Sequence, residues 1–358
     1  MGQERNTLKP EGHLKTIYSD QHRLRDAKTE LYGGELVAPF ERPSRADTII
    51  NAVRKADLGA IDQPEKFSLE PVLAVHSADF VAFLETAWTQ WQQSGYQGEA
   101  IPTVWPARRM QSRVPRFIEG KLGYYALAAE TSICEGTWAA ALTSKDVAVT
   151  GAQGLLEGEQ GVFSLCRPPG HHAARDLYGG YCFLNNAAIA TQYLRDADAE
   201  RVAVLDIDFH HGNGTQDIFY ERADVLFCSL HGDPDDAFPH FLGYADETGA
   251  GSGVGYNRNY PMPPGTPFAQ WRDALVDALR HIKQFAPQFL IVSLGVDTFE
   301  NDPISFFKLT TPDYLTAGEL IGNLGIPTLF VMEGGYDIEE VGTNTVNVLT
   351  GFKAACPN

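Results

Sequence analysis

The sequence predicts a single α/β domain: three layers, α/β/α, around a mostly parallel central sheet. Three observations predict it. Short apolar runs alternate with longer helical patterns along most of the 358 residues, as in repeated βαβ units. The runs (VAVL at 202, FLIVSL at 289, TLFVM at 328) are almost entirely apolar, as in strands covered by helices on both faces. Polar clusters follow the ends of five of these runs, where open parallel sheets bind ligands.

In chain order, residues 1–14 read as a polar leader and residues 15–358 as the folded domain. The leader has no apolar stretch of the kind a secretory signal needs. Strands are expected at KTIYSD (15), GVFSLCR (161), RVAVLDID (201), VLFCSLH (225), FLIVSLGVD (289) and PTLFVMEGG (327). Helices are expected over 44–56, 77–91, 130–156, 186–197, 266–285 and 311–324. Ser77 suits a helix N-cap, and Pro312 suits a first helical turn. Two stretches, 100–122 and 232–267, carry too many Pro and Gly for regular elements. Loops of this length in a compact domain are usually functional or disordered. Phe238, Phe241, Tyr244, Tyr256 and Tyr260 argue against disorder in the second.

Composition narrows the partners. With 28 Lys and Arg against 46 Asp and Glu, the net charge of −18 disfavours nucleic acid and favours a cationic substrate. Acidity also serves solubility alone. No apolar run approaches the length of a membrane span. The five cysteines show no CxxC pair or zinc-finger spacing, which suggests a reducing, cytoplasmic setting.

The chemistry-bearing residues sit in the five clusters CRPPGHHAA, DIDFHHGNG, SLHGD, GVDTFENDP and EGGYD. Asp208 and His210 stand two apart in extended chain, so both can point to one side. With Asp297 from another strand end they form two carboxylates and an imidazole. That set suits catalytic zinc with an open position, or iron(II) or manganese. Alone, Asp208 and His210 are also compatible with a buried hydrogen-bonded pair. His171 and His172 offer one imidazole for proton transfer and one for electrostatics, or could merely cap loop backbone. Asp206 and Asn213 can fix their tautomers. Tyr336, after two glycines, is either an oxyanion donor or an ordinary turn tyrosine.

RPPGHHA, GGYCFLNNAAIA, DIDFHHGNGTQ, SLHGDP, GVDTFENDP and EGGY together resemble the histone deacetylase superfamily, over roughly residues 15 to 353, which implies its arginase-like fold with a central sheet of about eight strands. AKTELYGGELVAPFERPSRA, FPHFLGYADETG and DPISFFKLT resemble its bacterial acetylpolyamine amidohydrolase branch. The resemblance implies one catalytic zinc on Asp208, His210 and Asp297. It implies His172 as general base and acid, His171 with Asp206 as its electrostatic partner, and Tyr336 as oxyanion stabiliser. Asn213 replaces an aspartate of some branches, which should alter the basicity of His172. A structural potassium or sodium ion is implied on Asp206, Ser229 and the carbonyls of Asp208, His210 and Leu230. A second is implied around Phe219, Arg222, Val225 and Tyr256. Tyr181 and Phe238 would wall the acyl-amine channel, with Gly180 as backbone acceptor and Ile304 as lining. The branch implies a homodimer that narrows the entrance, with Tyr32, Phe40, Glu119 and Glu130 at its rim.

The implied reaction is acetylpolyamine plus water to polyamine plus acetate, in a cytoplasmic enzyme without nucleic-acid or membrane partners. A deacetylase for acetyl-lysine in proteins is the nearest alternative. A dimanganese ureohydrolase shares the fold, but has an aspartate where Gly295 stands here. A non-catalytic acyl-amine binder would be expected to lose a ligand, a histidine or the tyrosine.

Overall fold

The computed structural model describes residues 14–356. Residues 1–13 of the expected leader and the last two residues lie outside that range. Leu14 does not belong to a leader: it is buried, and its amide donates to Leu58 across 3.1 Å.

Among the described residues ten strands form: β1 (Lys15–Ile17), β2 (Glu30–Tyr32), β3 (Glu35–Val37), β4 (Ile61–Asp62), β5 (Gly161–Ser164), β6 (Val202–Asp206), β7 (Val225–Gly232), β8 (Asn257–Met262), β9 (Phe289–Leu294) and β10 (Thr328–Met332). Eight make one sheet in the order β4-β1-β5-β10-β9-β6-β7-β8. Every pairing in it is parallel. β2 and β3 form a separate antiparallel hairpin.

The six expected strands all lie in this sheet. Its two edges, β4 and β8, were not anticipated. β4 has two residues, and β8 reads NRNYPM, with Pro261 and two asparagines. An edge strand needs one ladder only, so it tolerates proline and polar residues that a central strand excludes.

The apolar runs divide by alternation. Val204 of β6 and Leu329 and Val331 of β10 pack into one core, under helices Ala78–Gln93, Thr137–Leu156 and Asn186–Asp196. Ala203, Leu205, Phe330 and Met332 pack into the other, under helices Pro43–Ala56, Phe268–Phe285, Thr311–Gly322 and Val341–Ala355. Burial on both faces is why these strands carry no polar alternation.

The expected helix over 130–156 begins only at Thr137. Residues before it are held otherwise: Ile133 bridges Ala100, and the Cys134 amide donates to the Thr137 hydroxyl. Helices Ile118–Tyr125, Asn213–Phe219 and Val341–Ala355 were not anticipated; the first closes the long 100–122 stretch. Ser77 occupies an N-cap position, but its side chain makes no capping bond. Thr310 and Asp313 form a reciprocal capping box at the helix that Pro312 enters.

Candidate active site

Because the sheet is parallel, the carboxyl ends of β5, β6, β7, β9 and β10 share one rim, and all five polar clusters lie there. Asp206 ends β6. Asp208 and His210 sit in the bends just beyond it rather than in extended strand. They still meet: ligand atoms of Asp208, His210 and Asp297 all lie within 4.8 Å of one another, and all three residues are buried. His210 Nδ1 is 3.0 Å from Asp297 Oδ2 and 3.3 Å from Asp208 Oδ1. Backbone amides fix the carboxylates. Phe209 N–H donates to Asp297 across 2.7 Å, and Gly334 N–H donates to Asp208 across 2.7 Å.

Two buried carboxylates at this separation repel one another and lack solvent. Burial and the Asp208 charge together push Asp297 up to about 7. A divalent cation among them removes that penalty, and the carboxylate-imidazole set is a fitting donor group for zinc, iron(II) or manganese.

His172 Nδ1 is 2.6 Å from Asn213 Oδ1, and His171 Nδ1 is 2.9 Å from Asp206 Oδ2. The two imidazoles are adjacent, with centroids 4.1 Å apart. Their electrostatics diverge. Burial opposes charge on His171, but Asp206 and Asp208 overcome it and raise it to about 10. Burial, with the charges on His171 and His210, holds His172 well below its ordinary value. The two adjacent imidazoles thus have opposite electrostatic tendencies.

Tyr336 is buried beside Tyr181, ring centroids 5.5 Å apart. Burial raises its phenol well above the ordinary value, so it is a proton donor and not a phenolate. A cavity of about 390 Å³ leads to this centre. Tyr32, Glu130, His172, Gly180, Tyr181, His210, Phe238, Ile304 and Tyr336 line it. Phe238 packs edge-on against His172 at 5.1 Å. Phe40 stands behind Tyr32, at 5.3 Å, and does not line the cavity. Glu119 lies elsewhere in this chain, accepting from Tyr96 and Thr103.

The residues expected around monovalent cations are placed as follows. Asp206 and Ser229 are register partners across β6 and β7, next to Leu230, and all three are buried. Ser229 Oγ bonds His231 Nδ1 at 2.8 Å. In the second set, the Phe219 and Tyr256 carbonyls accept from Arg222 and Phe227 amides, and Val225 begins β7. The Arg222 guanidinium pairs with Asp224, leaving only backbone for a cation.

Sequence reasoning missed several residues. Glu30, buried on β2, accepts from the Tyr181 hydroxyl at 2.7 Å and lines the cavity with Asp236. The signal was present: Gly33-Gly34, both at positive φ, is a two-residue hairpin turn that places β2 at the entrance. Glu333 accepts from the Gly170 and His171 amides, fixing the histidine loop. Arg45 lies under the ring of Tyr336 at 4.7 Å and donates to the carbonyls of Glu333 and Gly335. Glu41 binds both Arg45 and Arg167 in the buried layer behind. Apart from Glu41 and Arg45, which are four positions apart, these contacts bring together residues over a hundred positions apart.

A second buried trio, His171, Cys182 and Glu333, has ligand-type atoms equally close. Its atoms are engaged: His171 with Asp206, Glu333 with two amides, and Cys182, a thiol raised well above its ordinary pKa by burial, with the Gly180 carbonyl. The ureohydrolase reading meets an obstacle at Gly295, where a Cβ would lie 2.1 Å from Asp208 Oδ2, so a side chain there would require Asp208 to shift.

A parallel α/β sheet whose rim gathers two aspartates, a histidine, a tandem histidine pair and a tyrosine defines a deacetylase-type amide hydrolase. The chain belongs to the histone deacetylase family: residues 39–352 match the histone deacetylase domain. It is 58% identical over 338 residues to acetylpolyamine amidohydrolase of Mycoplana ramosa, covering 94% of this chain and 99% of that protein. It is 56% identical over 340 residues to acetylpolyamine amidohydrolase 2 of Pseudomonas aeruginosa, covering 95% and 99%. The crystal structure of acetylpolyamine aminohydrolase from Burkholderia pseudomallei superposes with a TM-score of 0.92 at 38% identity, over 96% of this chain and all of that one.

Proposed function

We propose that the protein hydrolyses N-acetylated polyamines to the free polyamine and acetate. One observation carries this reading beyond the family: Glu30, Glu130 and Asp236 line the cavity, and no lysine or arginine does among the described residues. A slender chain bearing ammonium groups gains from such walls. The names of the relatives above agree with it.

Asp208, His210 and Asp297 would hold one divalent ion, zinc in the first instance. When bound, that ion supplies Lewis-acid polarisation of the acetyl carbonyl and acidifies water. The remaining work falls to the chain. With Nδ1–H donated to Asn213, His172 keeps a lone pair on Nε2 to take a proton from the attacking water. The same nitrogen then returns the proton to the leaving amine. His171, charged beside Asp206, favours negative charge nearby. Tyr336 donates its hydroxyl hydrogen to the developing oxyanion. Tyr181 and Phe238 exclude water from the acyl chain.

Asp206, Ser229 and the neighbouring carbonyls are assigned to a structural potassium or sodium ion, and the Phe219 to Tyr256 set to a second. We also assign a homodimer, supported by exposed Trp105, Met110, Val114 and Phe117 in the 101–117 loop. Sedimentation would show a dimer, and Glu119 and Phe40 would then belong to its entrance.

The deciding experiment compares turnover of N-acetylputrescine with that of an acetyl-lysine peptide, with elemental analysis on the same sample. We expect preference for the polyamine and one divalent ion per chain, lost in Asp297→Asn. Preference for the peptide would overturn the substrate assignment, and two ions per chain would overturn the single-metal one.

A further inference from the structure

Phe238 lies on an irregular loop between β7 and β8, and its position must be fixed by something other than a ladder. On its N-terminal side the loop is tied to the sheet, with Asp233 N–H donating to Met262 and Ala237 N–H to Asp233. Between Phe238 and Gly243 the backbone passes through positive φ at His240, Phe241 and Gly243. That conformation is unfavourable for the two non-glycine residues, so it persists only if the segment is held at its far end too.

The far end is held by a polar bracket separate from the catalytic groups. Gly243 C=O accepts from His231 Nε2 at 2.8 Å, and Gly243 N–H donates to Glu247 at 2.8 Å. Glu247 also accepts from Gln216 Nε2 at 2.7 Å. Gln216 Oε1 accepts from Asn257 at 2.9 Å and Asn259 at 2.8 Å, and faces His211 Nε2 at 3.1 Å. Asn259 reaches the Tyr244 carbonyl at 3.1 Å. Gly243 rests directly on both imidazoles: a Cβ there would meet His211 at 2.9 Å and His231 at 3.1 Å. Gln216, His211, His231, Asn257 and Asn259 are all buried. Gln216 is on the short helix Asn213–Phe219, whose first residue is the partner of His172.

We propose that Glu247 and Gln216 are positioning residues for the substrate channel: their hydrogen bond fixes the 238–243 segment and so the Phe238 wall. This rests on the reading of Phe238 as a channel wall. Neither residue lines the cavity, so their effect passes through the loop. A hydrogen bond with a charged partner is strong enough for its loss to shift a loop equilibrium roughly tenfold or more.

The test uses the metal-loaded full chain and three variants: Glu247→Ala, Glu247→Gln, and the exchange Glu247→Gln with Gln216→Glu. The exchange restores a carboxylate-amide pair with donor and acceptor reversed. First, amide hydrogen exchange without substrate: Glu247→Ala should accelerate exchange in peptides covering 238–243, with β9, residues 289–294, unchanged. Unaltered protection there would overturn the bracket, whatever the enzyme's substrate proves to be. Second, steady-state kinetics on N-acetylputrescine: KM should rise roughly tenfold in Glu247→Ala with a smaller change in kcat, and the exchange variant should recover much of it. A loosened loop with unchanged KM, or a loss of kcat alone, would overturn the link to the channel. If the wild-type chain ignores acetylated polyamines, the function reading fails while the exchange result still judges the bracket.

Discussion

Asn213 Oδ1 stands 2.6 Å from Nδ1 of His172, and an amide oxygen can only accept. The imidazole must therefore carry its proton on Nδ1 and present a bare Nε2. Asn213→Asp would replace that neutral acceptor by a carboxylate, which favours the imidazolium. The pKa of His172 then rises, and less neutral base is present at a given pH. The acidic limb of the kcat/KM profile should move up by roughly one unit. A pH-rate profile checks it, and a downward shift would mean that Asn213 does not orient the base.

Tyr336→Phe removes one hydroxyl from a buried ring held by Arg45. Metal content should stay unchanged, while kcat falls about 100- to 1,000-fold, the scale of losing one oxyanion donor. Turnover within twofold of wild type would remove Tyr336 from the chemistry.

Glu41 is buried between two guanidiniums, with Arg167 Nε at 2.7 Å and Arg45 Nη1 at 3.2 Å. Burial disfavours its charge, but Arg167 and Arg45 overcome this and lower its pKa. Glu41→Ala strands both cations, at a cost of about 3–5 kcal/mol. Urea unfolding measures it, and a loss under 1 kcal/mol would show that the arginines find other partners.

His76 supplies a stability prediction remote from the active site. Its Nδ1 bonds the Ala174 carbonyl at 2.9 Å, and its Nε2 accepts from the Asn185 amide at 2.9 Å. Burial lowers its pKa from 6.5 to about 4. The native state keeps it neutral, whereas the unfolded chain binds a proton below about 6.5. Its contribution is complete above that pH and declines by about 1.4 kcal/mol per unit as pH falls toward 4. His76→Gln should flatten the slope of unfolding free energy against pH by about one proton over that window. An unchanged slope would show that His76 is protonated in the native protein.

The parallel sheet was legible in the residues, because strands buried on both faces are almost entirely apolar, and so were the five rim clusters, because parallel strands bring their carboxyl ends together. Asp208, His210, Asp297, the histidine pair and Tyr336 were legible for that reason, each standing just past an apolar run. The edge strands were not, since an edge needs neither apolar composition nor freedom from proline. Nor were Glu30, Arg45, Glu41 and Glu333. Each is an unremarkable charged residue in the sequence. Glu30 reaches Tyr181 across 151 positions, and Arg45 reaches Gly335 across 290. Local pattern carries no trace of such pairs. Only the tertiary structure decides which buried charge meets which partner, because the cost of desolvating an ion is offset by whatever the fold places beside it.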